Sequence, residues 1–202
     1  MKKTWIGKRG FILLILAVLL SASASFGAGT KFTLLVRDKP ESDTVSTDDP
    51  KENANGDEFT VSTDVDTEIC TLTVKVKMRG EPSRDCQLEW AFVSENLKKT
   101  DADEERVVFC TGQKDLSLQE NVEQAETIVS KPFVFTTSVS DKGKGNGNEK
   151  MSGDVYEGYV VLLTSNGEII ASKASSSKYL KDEWIEKVRG GISRGSGNRR
   201  RR

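Results

Sequence analysis

Asp64, Asp66 and Glu68 stand at alternating positions of one segment, and Asp101, Asp103, Glu104 and Glu105 crowd into another. Paired carboxylates are the working groups of glycoside hydrolases, which hold them about 5 to 10 Å apart across a cleft and keep one protonated in an apolar environment. Neither cluster has such neighbours, so both are expected to be solvated. The second also lacks the glycine and terminal glutamate spacing of an EF-hand calcium loop. The chain contains no histidine, which removes Ser-His-Asp and Cys-His catalysis, imidazole zinc sites and histidine acid-base chemistry. Gly143, Gly145 and Gly147 do not make a phosphate cradle, because such a loop must open a helix and here a polar stretch follows. No catalytic residue, metal ligand or cofactor is expected.

Arg189, Arg194, Arg199, Arg200, Arg201 and Arg202 form a run without an intervening acid, interleaved with Gly190, Gly191, Gly195, Gly197, Ser193 and Ser196. That composition predicts a flexible basic tail over 189–202 whose guanidinium forks can reach a polyanion. The rest of the chain is acidic, which opposes nucleic acid as the partner. Anionic envelope lipid or polysaccharide fits better, with a solvated tail or an intramolecular partner for an acidic linker as the alternatives.

Cys70, Cys86 and Cys110 are the three cysteines. An odd number allows at most one intramolecular bridge and leaves a free thiol. Each sits among alternating apolar residues, as a small core residue would. If Cys70 and Cys86 lie on a hairpin about Gly80-Glu81-Pro82 they fall near its opposite ends, which makes Cys110 the better placed partner of either. Trp90, Trp184, Tyr156 and Tyr159 could form a platform for sugars, but Trp90 shares a strand face with Leu88 and Phe92, and Trp184 lies on an apolar helix face. Both already have a packing role.

At the N-terminus Lys2, Lys3, Lys8 and Arg9 precede the apolar run Phe11 to Leu20, followed by Ser21-Ala22-Ser23-Ala24-Ser25. This is the pattern of a signal peptide cleaved after Ala24, with Ala28 as a second choice. A run of ten falls short of the roughly 20 apolar residues that span a bilayer. Removing this segment takes the formal net charge from −1 to −5, and export puts the protein in a secreted or periplasmic compartment of the cell envelope.

Several elements must position these residues. Lys31 to Arg37 reads as a short strand, and Asp38 to Asp57, almost without apolar residues, as an acidic flexible linker completing 25–57. A period of two then dominates: Phe59 and Val61, Cys70 to Met78, Cys86 to Phe92, Arg106 to Thr111, Asp115 to Leu118, Glu126 to Val129, and Pro132 to Ser140. Asp141 to Gly153 reads as a loop. Tyr159 to Leu163, Asn166-Gly167 and Ile169 to Ala174 form a hairpin on a type I′ turn, with Leu163 opposite Ile170 and Leu162 opposite Ala171. Tyr179, Leu180, Trp184, Ile185 and Val188 recur at helical spacing up to Gly190-Gly191.

About seven short strands and one terminal helix make an all-β sandwich over 58–188. The segments TLTVKVKMRG, CQLEWAFV, KDLSL and EGYVVLLTSNGEIIASKASS resemble immunoglobulin-like or fibronectin-type-III-like domains of exported bacterial proteins. Cys86 and Trp90 share one strand, so the likeness does not extend to the antibody-type bridge packed under a tryptophan. The resemblance implies an immunoglobulin-like antiparallel β-sandwich with a short C-terminal helix, used as a non-catalytic interaction or structural module that meets protein partners through sheet edges or loops. A carbohydrate-binding module and a carboxylate-dependent hydrolase are the alternatives.

Overall fold

The computed structural model describes residues 29–53, 55–56, 58–97, 106–141 and 148–197, with the backbone alone at Asp141, Asn148, Glu149 and 193–197. The expected signal peptide, the acidic residues Asp101 to Glu105, the glycines at 143, 145 and 147, and Arg199 to Arg202 lie outside them. The chain is all-β with one C-terminal helix: β1 (Lys31–Glu52), β2 (Glu58–Arg79), β3 (Ser83–Asn96), β4 (Arg106–Gln119), β5 (Glu123–Val129), β6 (Phe133–Asp141), β7 (Asn148–Ser165), β8 (Glu168–Ala174), a 3-10 turn Ser177–Leu180 and α1 (Asp182–Gly197). The strands pair antiparallel in the order β1-β2-β6-β7-β3-β4, with β5 added to β2 and β8 to β7.

This ladder doubles over on itself. Cys70, Leu72, Val74, Val76 and Met78 of β2 pack, with Phe32, Leu34 and Val36 of β1, against Leu88 and Phe92 of β3 and Val161 and Leu163 of β7. Since β2 does not pair with β3, the contact is between layers, as in a sandwich. The segment Gly80-Glu81-Pro82 is therefore a crossing from one layer to the other and not the turn of a hairpin. The opposite face of β3 and β7 carries a second cluster, where Ala91, Val93, Val160 and Leu162 are covered by Tyr179, Trp184, Ile185, Val188 and Ile192. That apolar stripe extends α1 through Gly190 and Gly191 to Gly197, further than its glycines led us to expect.

Other differences have local causes. Arg106 to Gln119 is one strand and not two, because Gly112 faces Trp90 across the ladder and a Cβ there would stand 2.3 Å from the indole. The ring occupies the space the glycine leaves. The Asn166-Gly167 turn has the positive dihedrals expected (φ 52° and 83°), but Leu163 pairs with Ala171 and Leu162 with Ser172, since a bulge leaves Ile170 as the extra residue. Asn148 to Gly153 is strand and not loop, paired with β6; Gly153 (φ 125°) is required there, because a Cβ would come 2.3 Å from the Val134 carbonyl oxygen.

The largest difference is at Asp38 to Glu52. The acidic stretch expected to be a flexible linker is the outer half of β1, paired residue by residue with β2 from Asp38↔Leu72 to Glu52↔Glu58. The core half of this hairpin is fixed by burial, and the ladder continues outward from it without a bulge. At roughly 3.3 Å per residue, the two 22-residue strands run far past the core. The outer parts of β1 and β2, with β6 and the start of β7, form a four-stranded ribbon beyond the sandwich.

β2 changes partners where ribbon meets core, from β6 up to Glu68 to β5 from Thr71. The gap is closed by buried Ser130, whose hydroxyl accepts the Cys70 N–H at 2.9 Å while its own N–H donates to the Cys70 carbonyl at 2.9 Å. We predict that Ser130→Ala, which leaves a buried donor unsatisfied, lowers the stability measured by urea unfolding by about 1–3 kcal/mol; a change near zero contradicts this role.

A second joint fastens the helical end to the sheet. Glu157 is the bulged residue of β7, lying between the pairs Val93↔Gly158 and Ser94↔Tyr156. Its carboxylate accepts from Arg106 (2.9 Å), Lys178 (3.0 Å) and the Tyr179 hydroxyl (3.2 Å). Burial pushes this carboxyl's pKa up, but the bonds from Lys178, Arg106 and Tyr179 together outweigh burial and hold it below its ordinary value. Stability from such a group is present above the unfolded-state pKa and is lost as pH falls through the lower folded one. Glu157→Gln is therefore expected to flatten the acid limb of a stability-pH profile relative to wild type; parallel acid limbs would count against it.

Candidate binding surfaces

The ribbon is the first surface. Partners across an antiparallel ladder point to the same face, so even-numbered residues of β1 and β2 share one face and odd-numbered residues the other. The even face of the ribbon carries Asp48, Glu52, Glu58, Asp64, Asp66 and Glu68 and no basic residue among the described side chains. Thr44 donates to Asp66, and Glu68 accepts from the Tyr156 N–H at 3.3 Å. The alternating acids noticed in the sequence are thus one part of a longer acidic row on a partly exposed face.

The odd face balances Glu41, Asp43 and Asp49 with Lys39, Lys51 and Lys150, and two of these pairs close within β1, Lys39 with Glu41 and Lys51 with Asp49. Between them lie Val45, Val61, Val65, Val134 and a set of threonines and serines; Val45 is 58% and Val134 46% exposed.

The second surface is a cleft of about 630 Å³ on the outer face of β3, β4 and the β7–β8 turn, adjoining a smaller one of about 290 Å³ at α1. At their junction sits Glu89, only 7% exposed. Its carboxylate accepts from Thr164 Oγ1 at 3.3 Å and Arg189 Nε at 3.3 Å, and Arg189 also donates to the Gly167 carbonyl at 3.2 Å. Nearby, Gln87 donates to Asp115 at 2.9 Å. These groups can hold a polar ligand by hydrogen bonds. Sequence reasoning missed Glu89, since an acid on the outward face of a strand reads as solvated until a helix covers it.

The expected site residues are placed as follows. Arg189, counted with the basic tail, is held against the fold by Glu89, and Arg194 belongs to α1. All three cysteines are free thiols, Cys70 and Cys86 buried and Cys110 partly so. Burial raises each thiol's pKa, which disfavours the reactive thiolate. Tyr156, in the same core cluster as Cys70, donates its hydroxyl to Asp38 at 3.0 Å. Trp90, Tyr156 and Tyr159 belong to the inter-layer core and Trp184 to the cluster under α1, so the four aromatics share no platform.

Among the described residues, no helix is long and apolar enough to cross a membrane, and no group of His, Cys, Asp or Glu is arranged to hold a metal ion.

No family model matches the chain, and no curated protein matches it. Among solved structures, a protein from Akkermansia muciniphila is 10% identical over 78% of this chain and 80% of its own, with a TM-score of 0.28. The Northeast Structural Genomics Consortium target SoR45 is 10% identical over 60% of this chain and 84% of its own, with a TM-score of 0.21. Likenesses this distant carry no functional argument.

Arg189→Met leaves Glu89 buried without its cation. The Arg189 side chain is 38% exposed, so the expected loss is about 1–2 kcal/mol, below that of a fully buried pair. Adding Glu89→Gln is expected to recover most of it in thermal or urea unfolding. A double variant no more stable than Arg189→Met would mean that the arginine does not compensate the carboxylate.

Proposed function

We propose that this protein is an exported, non-catalytic interaction or structural module of the cell envelope, built on a sandwich of immunoglobulin-like or fibronectin-type-III-like type. The observation that carries this reading is the ribbon. Strands β1, β2 and β7 run from the packed core into a four-stranded projection whose partly exposed faces differ in charge, and a projection of that kind presents surface to a partner. The cleft supports the same reading, because its buried carboxylate is already engaged by an arginine and a threonine hydroxyl and is not left free as a base. Arg199 to Arg202 supply a basic segment suited to anionic envelope lipid or polysaccharide, while Arg189 serves the fold. Export rests on the N-terminal sequence pattern.

Sedimentation of the purified protein with envelope fragments across a salt series tests this, beside a version truncated after Gly197, which keeps Arg189 and Ile192 in place. Salt-sensitive binding that disappears on truncation is the expected result. Absence of binding in both forms at low salt contradicts an envelope role.

A further inference from the structure

A β-sheet is ordinarily stabilised by burying at least one face against another layer. In the ribbon neither face is packed in this way: Val45, Val134, Val139 and Met151 are all more than 40% exposed. Three ways of covering it can be compared.

The outer edge is a poor choice. Cys70 sends both its N–H and its carbonyl to Ser130, so the pair Pro40↔Cys70 is not hydrogen-bonded across β1 and β2. Even-numbered residues of β1 therefore point their backbone groups outward. Pro40 and Pro50 occupy two of those positions, and each removes a donor that an added strand would need. The even face is excluded for a second copy, because stacking would set its row of acids against an identical row.

Of the two faces, the odd one suits a second copy. Its charges balance, its centre is valine and threonine, and it continues into the outer face of the sandwich layer at Leu35, which is 54% exposed. Four strands at about 4.8 Å spacing and about ten residues at about 3.3 Å give roughly 600 Å² of sheet, close to the ~800 Å² per partner of a specific interface before the Leu35 region is added.

We propose that the odd face of the ribbon is a homodimer interface, on which the same face of a second copy packs. This deepens the reading of the ribbon as an interaction surface by naming its partner.

Sedimentation equilibrium of the full chain over a concentration series tests it with two variants. Val45→Lys with Val134→Lys places like charges on the odd face. Met151→Lys, on the even face opposite Thr137, is the control, and circular dichroism verifies that both fold. The wild type and the control are expected to dimerise, and the double variant to weaken the dimer at least roughly tenfold, or about 1.4 kcal/mol. A wild type that stays monomeric up to about 100 µM, a regime where mass action favours even weak dimers, overturns the proposal. So does a dimer that survives the double variant or one that the control disrupts equally. Envelope sedimentation of the same variants reads the broader proposal separately.

Discussion

The structure depends on long strands that change partner along one edge. β2 serves β1 along its whole length and divides its other edge between β6 and β5; β7 keeps β3 on one edge and divides the other between β6 and β8. Every change of partner exposes backbone groups that must be satisfied. At Cys70 the chain meets this with a single serine between two strands. On β7 the Tyr156 N–H, between the β6 and β8 stretches, donates to Glu68 of β2 at 3.3 Å, and on the β3 edge a bulge re-aims Glu157 to collect Arg106, Lys178 and Tyr179. The positions of the ribbon and of the helical end both follow from these two joints.

Alternation then sorts the chemistry. In the core half of β2 the even positions are Cys70, Leu72, Val74, Val76 and Met78, all buried. Carried outward in the same register, the same face becomes Glu68, Asp66 and Asp64. One period of two therefore makes an apolar layer at one end and an acidic surface at the other, and a one-residue slip would turn Thr71, Thr73, Lys75 and Lys77 into the core. The apolar half holds the polar half in register.

Much of this could be read from the sequence. The alternation of Cys70 to Met78 and Cys86 to Phe92, the Asn166-Gly167 turn and the apolar spacing from Tyr179 to Val188 each have a local cause, and each element formed. What could not be read depends on neighbours distant in sequence. Asp38 to Glu52 has too few apolar residues to signal a strand; it is a strand because β2 lies beside it. Gly112 reads as a break until Trp90 is seen across the ladder, and the shift at Ile170 arises from a bulge that turn chemistry does not encode. Glu89 became a candidate only when α1 brought Arg189 over it. The basic run was legible as charge, but its division between a fixed Arg189 and the rest required the helix.

β1 continues as an ordered strand through the acidic stretch. Residue-resolved amide hydrogen exchange from Leu35 to Glu52 tests it most directly. With even-numbered residues facing outward, the expected result is alternation, in which odd-numbered amides bonded to β2 are protected and even-numbered amides exchange quickly. Uniformly fast exchange beyond Arg37, at the rate of an unstructured chain, would show that the ribbon does not form and that the stretch is the linker its composition suggests.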